Sequence, residues 1–360
     1  MLLRNSRVLL SRLLLLFLVV PTVAQNTTPG DAFPSAVPSP PPAKPAPPSA
    51  EGSSSRSQPA QSSADEQEGT FLIHKEVDEV VLHATVVDDK QHIITSLDRT
   101  AFTVYEDGKP QNIVSFRHED IPVAMGVVID NSGSMREKRE KVNKAALNLV
   151  KASNPQDEVF IVNFNDEYYL DQDFTNNLSK LKDALEKVET RGGTALYDAA
   201  VASADHLKKY AKLDKKVLFV VTDGEDNASR ESLEQSIRRL QEENGPAVYA
   251  IGLLGEEKQR RARKALQFMA EKTGGIAFFP KSLDEVDALS QQVAHDIRNQ
   301  YTLVYKPSNP KTSGGYRAIK VDAKAKGFGK LMVRTKSGYY AGEERAADTS
   351  GRDPSRPANR

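Results

Sequence analysis

Val123-Ala124-Met125-Gly126-Val127-Val128-Ile129-Asp130-Asn131-Ser132-Gly133-Ser134 joins an apolar run to a turn carrying one carboxylate and two hydroxyls. A run of this length without polar alternation reads as a strand buried on both faces, as in a parallel sheet covered by helices. The one-residue spacing of Asp130, Ser132 and Ser134 lets a tight loop curl three hard oxygens toward one point. That donor set suits Mg²⁺ or another hard divalent ion rather than zinc. Taken alone, the turn also has an ordinary reading, because Asp, Asn, Ser and Gly are common in turns and helix N-caps.

Two further segments bear on the choice. Val217-Leu218-Phe219-Val220-Val221 is a second buried-strand run and ends in Thr222-Asp223-Gly224, again with a carboxylate just past the strand. Between the two runs, Arg191-Gly192-Gly193-Thr194 presents a hydroxyl ahead of a helical stretch from Ala195 to about Tyr210. In an open parallel α/β sheet, ligands bind outside the carboxyl ends of the strands, so three loops converge on one edge.

Asp130-x-Ser132-x-Ser134, Thr194 and Asp223, in this order and at these separations, resemble the metal-ion-dependent adhesion site of von Willebrand factor type A (VWA) domains, over roughly residues 121–300. The resemblance implies an α/β fold with a doubly wound, mostly parallel, Rossmann-like sheet. It implies that the Ser132, Ser134 and Thr194 hydroxyls hold an ion directly or nearly so, with Asp130 and Asp223 helping directly or through water. Mg²⁺ is the first candidate, ahead of Mn²⁺ and Ca²⁺. The resemblance also implies a coordination position open to an Asp or Glu of a protein partner. The chemistry agrees, since a cation held largely by neutral hydroxyls stays under-neutralised and attracts one more anionic oxygen. Without the ion, Asp130 and Asp223 are expected to be two like charges held close together.

Catalysis has little support. The chain has six histidines and no cysteine, which excludes thiolate chemistry. Spacing alone leaves a Ser-His-Asp arrangement open, but neither a Gly-x-Ser-x-Gly elbow nor a Gly-x-x-x-x-Gly-Lys-Ser/Thr phosphate loop is present. A metal-dependent hydrolase and a self-associating scaffold stand as alternatives to a protein-binding module.

The 360 residues, 27% charged and 39% hydrophobic, fit a soluble globular chain with unstructured segments. Arg4, Arg7 and Arg12 precede the apolar Leu13-Leu14-Leu15-Leu16-Phe17-Leu18-Val19-Val20, and Thr22-Val23-Ala24 follows. Residues 1–24 thus read as a secretory signal cleaved near Gln25, predicting a secreted, periplasmic or envelope protein with no membrane span in the mature chain. An uncleaved N-terminal anchor is the alternative. Removing that segment leaves 46 Lys and Arg against 49 Asp and Glu, a net charge of −3 that disfavours nucleic acid as a partner.

Residues 25–69, rich in Pro, Ser and Ala, are expected to be a disordered tether, and residues 343–360 a frayed tail. Two β-patterned segments flank the central domain, over 70–120 and 301–342. In the first, Leu82, Ala84 and Val86 oppose His83 and Thr85, and Glu106-Asp107-Gly108-Lys109 predicts a hairpin turn into Ile113–Phe116. In the second, Ile319, Val321 and Ala323 oppose Lys320, Asp322 and Lys324. Each flank is too short to bury a face alone, but together they can form one small β-sandwich. The flanks, from Tyr105 to Pro110 and from Arg334 to Tyr340, resemble more loosely a group of exported acidobacterial VWA-related proteins.

Within the central domain, Ser232-Leu233-Glu234-Gln235 and Ser282-Leu283-Asp284-Glu285 predict capping boxes. The basic run from Lys258 to Lys264 reads as a solvated helix face.

Overall fold

A computed structural model describes residues 79–254 and 260–342. The stretches expected to be a signal (1–24), a tether (25–69) and a tail (343–360), the first residues of the N-terminal β segment (70–78) and the first two residues of the basic run lie outside the described residues.

The first half of the chain order is β1 (Val80–Val87), β2 (Phe102–Glu106), β3 (Lys109–Gln111), β4 (Ile113–Arg117), β5 (Val123–Asp130), α1 (Arg139–Ala152), β6 (Glu158–Phe164), β7 (Tyr168–Thr175), α2 (Leu178–Glu186) and α3 (Leu196–Tyr210). It continues with β8 (Lys215–Thr222), α4 (Leu233–Leu240), β9 (Ala247–Gly252), α5 (Arg260–Thr273), β10 (Ala277–Phe278), α6 (Val286–Arg298), β11 (Tyr301–Tyr305), β12 (Gly315–Ala323), β13 (Met332–Arg334) and β14 (Gly338–Ala341).

The apolar run that opened the sequence analysis is β5, buried along its whole length. It lies inside a six-stranded sheet of order β10-β9-β8-β5-β6-β7, parallel except for the β6–β7 pair. The two-residue period of a strand divides its side chains between two cores. Val123, Met125, Val127 and Ile129 join residues of α1, α2 and α6, whereas Ala124 and Val128 join residues of α3, α4 and α5. This is the doubly wound α/β class. Gly126 lies where the second core is tightest: a Cβ there would stand 2.4 Å from the Phe160 ring and 2.7 Å from Leu218, so only glycine lets the layers close.

Helix starts follow the predicted chemistry at one site and not at the other. Ser232 and Gln235 form the reciprocal capping box that opens α4. Ser282 makes no side-chain cap; Leu283–Glu285 is a 3-10 turn, and the Glu285 carboxylate accepts the Lys281 N–H at 3.0 Å. The carboxylate reaches past the serine, and the α-helix starts only at Val286.

Outside the central sheet, strands from both flanks combine in two antiparallel four-stranded sheets, β13-β1-β11-β4 and β14-β12-β2-β3. They share one core, in which Leu82, Ala84 and Val86 meet Val104, Leu303 and Val321. The Asp107-Gly108 turn has both φ angles positive, at 49° and 76°, as its residues require. Its hairpin, however, returns through β3, and the expected partner Ile113–Phe116 belongs to β4, which pairs with β11 in the other sheet.

The central sheet and the flanking strands meet through buried polar groups. The carboxylate of Asp296 on α6 accepts from Thr85 on β1 at 2.5 Å, from the Tyr249 hydroxyl on β9 at 3.3 Å, and from Arg334 on β13. Burying such a carboxylate is tolerable because its acceptor capacity is used.

Candidate metal centre

All five sequence-predicted site residues lie at the carboxyl edge of the central sheet, where the chain passes from β5 to one side and β8 to the other. Asp130 ends β5 and is fully buried, at 0% exposure. Both its oxygens are engaged: Oδ1 accepts the Ser132 N–H at 2.8 Å, and Oδ2 accepts the Thr222 hydroxyl at 2.5 Å. These bonds fix the rotamer of the carboxylate and bind the first loop to the end of β8.

Hydroxyls continue the chain of contacts. The Ser132 and Ser134 Oγ atoms lie 3.2 Å apart, and Ser134 Oγ donates to Asp223 Oδ1 at 2.8 Å. Ser134 is exposed while Ser132 and Asp223 are buried, so the cluster opens to solvent on the Ser134 side. The other Asp223 oxygen, Oδ2, accepts from the ammonium of Lys138.

Thr194 arrives on the third loop. Its N–H donates to Asn227 Oδ1 at 2.9 Å, and its carbonyl accepts from the Asn227 and Ala228 N–H groups at 3.0 and 3.3 Å. Its Oγ1 would lie 3.2 Å from a Cβ built on Gly224, which places the hydroxyl against the residue following Asp223. Gly192 turns the loop at a φ of 74°, and Asp166 accepts the next N–H, from Gly193, at 2.8 Å. A further bond, from Gly133 N–H to the Gly192 carbonyl at 3.3 Å, ties the first and third loops together.

Burial is the main cause that pushes the Asp130 carboxyl above its usual range. The Thr222 and Ser132 hydrogen bonds oppose the rise, and the Asp223 charge adds to it behind burial in size. Asp130 and Asp223 thus act on each other as like charges, with burial the larger effect on Asp130. Asp223 is neutralised locally by Lys138, and Asp130 is shielded by its own donors.

The donor chemistry fits a hard divalent ion, since the five residues offer only hydroxyl and carboxylate oxygens. Among the described residues, no cluster of three or more His, Cys, Asp or Glu side chains could hold a metal. A cation here would therefore depend on the hydroxyls.

Comparison with known proteins bears on the fold of this region. Residues 125–225 match the von Willebrand factor type A domain model. The matched stretch includes all five predicted site residues. The chain also resembles solved structures at the level of fold. One is a von Willebrand factor type A protein from Catenulispora acidiphila, with 12% identity, 75% of this chain and 76% of that chain covered, and a TM-score of 0.43. Another is the vWF domain of the type V pili tip protein Mfa5 from Porphyromonas gingivalis, with 12% identity, 49% and 97% covered, and a TM-score of 0.40. A third is the PilB minor pilin from Streptococcus sanguinis, with 15% identity, 51% of this chain covered and a TM-score of 0.41; this chain spans 62% of that pilin. No curated protein matches.

Around these loops, sequence reasoning missed Thr222, Lys138 and Asn227. Thr222 was legible in principle, as the hydroxyl immediately before Asp223. Lys138 and Asn227 carry no local signal, because their roles arise only when separate loops meet.

Proposed function

We propose that the chain is an exported, non-enzymatic interaction module in which the VWA-like domain uses a divalent cation, Mg²⁺ first, to meet an Asp or Glu of a protein partner. The carrying observation is the continuous contact from Ser132 through Ser134 to Asp223, set beside Thr194 and open to solvent at Ser134. Ser132, Ser134 and Thr194 would hold the ion with Asp130 and Asp223, and Thr222 would orient Asp130. When bound, the ion supplies a position for one further anionic oxygen. The family-model match supports an interaction role, and the serine hydroxyls are engaged with one another and with Asp223. Export rests on the basic and apolar character of residues 1–24. No helix among the described residues is long and apolar enough to cross a membrane.

The test is capture from envelope extract by immobilised wild-type protein and by Asp130→Ala, each with Mg²⁺ and with chelator. A partner retained only by wild type with Mg²⁺, and lost when its critical Asp or Glu becomes the amide, supports the proposal. Equal retention in chelator by the folded protein would place docking elsewhere and reduce the loops to a structural role.

A further inference from the structure

One side of the sandwich is open, between β12 and the chain that leaves it. On that edge of β12, β14 pairs with Gly315–Ala318, and one more bond follows, from the Ile319 N–H to the Ser337 carbonyl at 2.9 Å. Beyond Ile319 no strand among the described residues pairs with this edge, because β13 turns aside to pair with β1 in the other sheet. A cleft of about 790 Å³ results, walled by β12, β13 and the connection between them.

The cleft is apolar in its depth and at its mouth. Ile319, Val321 and Ala323 form a floor that belongs to the sandwich core, whereas Phe328 and Met332 line the mouth and are each 37% exposed. Of the charged lining residues, Asp322 is paired with Lys320 at 3.0 Å. Lys324 and Lys330 are exposed and make no ion pair among the described residues. An aromatic ring and a thioether left in water above an apolar floor mark a docking surface, and the two lysines at its rim favour an occupant that carries acids beside its apolar part.

The chain itself contains such a segment. Thr70-Phe71-Leu72-Ile73-His74-Lys75-Glu76-Val77-Asp78, directly before β1 in sequence, joins an apolar stretch to two carboxylates. Reach decides whose copy supplies it. Val80 pairs with Tyr305 at one end of β1, and Val87 pairs with Met332 of the cleft at the other. Those ends are about 23 Å apart at the rise of a strand. From Val80 back to Ile73 a fully extended chain spans at most about 25 Å, which leaves no length for reversing direction. Such a path would also string Glu76 and Asp78 along β1, away from the rim lysines.

We infer that the cleft binds residues 70–78 of a second copy, with Phe71, Leu72 and Ile73 against its apolar lining and Glu76 and Asp78 toward Lys324 and Lys330. The contact is head-to-tail, one copy's segment on the next copy's cleft, so it does not close at two chains by itself. It involves none of the metal loops and is independent of the proposed partner-binding role.

The test uses a fluorescent synthetic peptide of residues 69–78 and the full chain carrying Phe71→Asp and Ile73→Asp, which spoil the chain's own segment. Anisotropy should show saturable binding of the peptide. Adding Phe328→Leu should keep the affinity within a few-fold, and adding Phe328→Glu with Met332→Glu should weaken it at least about tenfold. Phe328 and Met332 are exposed, so equal melting temperatures across the variants show that the fold is kept. Light scattering over a concentration series then reads the assembly: the mass of wild type should climb above that of the segment variant and of Phe328→Glu with Met332→Glu, all three retaining residues 1–24. The inference is overturned if the peptide fails to bind or binds the charged cleft equally well. It is also overturned if wild type has the same mass as both variants at every concentration, since the segment then seats in no second copy.

Discussion

Lys138 and Asp223 form an ion pair at the mouth of the proposed metal site, with the aspartate side chain 1% exposed and the lysine 29% exposed. The ammonium meets the same carboxylate that accepts from Ser134. On the proposed reading, a divalent ion resting on Asp223 would coexist with this positive charge or displace it, which would make Lys138 a determinant of ion affinity.

Lys138→Met is accordingly expected to tighten Mn²⁺ or Mg²⁺ binding by roughly three- to tenfold, a modest figure because the lysine is partly solvated and screened. Calorimetric titration of wild type and variant at the same ionic strength checks this. Weaker binding by the variant would mean that Lys138 helps to build the site.

A second expectation concerns pH. Asp157 accepts the Val123 N–H at 2.8 Å and the Asn154 N–H at 3.1 Å, yet burial pushes its carboxyl up to about 6. The folded value lies above the unfolded one, so the stability contributed by this group is fully present below about pH 4 and is lost as pH rises through 6. Asp157→Asn does not titrate. Its stability should therefore fall less than that of wild type between pH 4 and 7, by on the order of 1–2 kcal/mol after solvent screening is allowed for. Urea denaturation of both proteins across this range reads the difference, and parallel curves would refute it.

In the sandwich, Arg317 and Glu106 form a buried pair at 3.3 Å, with side-chain exposures of 3% and 2%. The hydroxyls of Tyr305 and Tyr339 donate to the same glutamate at 2.5 and 3.1 Å. Arg317→Met leaves a buried carboxylate without its counter-charge and is expected to destabilise the protein by about 3–5 kcal/mol. Adding Glu106→Gln should restore part of that loss, because the uncompensated charge is gone. Additive losses in denaturant titration would show that the two residues act separately.

The legible part of the fold was the part with a local signal. β5 and β8 show as unbroken apolar runs because both their faces are covered, and β12 shows as an alternation because only one face is. The five proposed ligands stood out by residue type and strand context. Pairing across long separations was less legible. Ile113–Phe116 looked like the return arm of the Asp107-Gly108 hairpin, but its partner β11 lies past the whole central domain and has no local mark. Likewise Ser282-x-x-Glu285 has the spelling of a capping box, yet the Glu285 side chain takes the Lys281 N–H instead. Lys138 reads as an ordinary charge near a helix start until the β8 loop brings Asp223 to it.

The most direct measurement is thermal denaturation with and without Mg²⁺ for wild type, Asp130→Ala and Thr194→Ala. An ion that binds only the native state adds about 2.7 kcal/mol at a hundredfold excess over Kd, a rise of roughly 5–10 °C for a domain of this size. Wild type should show that rise, and both variants, folded by circular dichroism, should show little of it. An equal rise in all three would contradict the assignment of the ion to Asp130, Ser132, Ser134, Thr194 and Asp223.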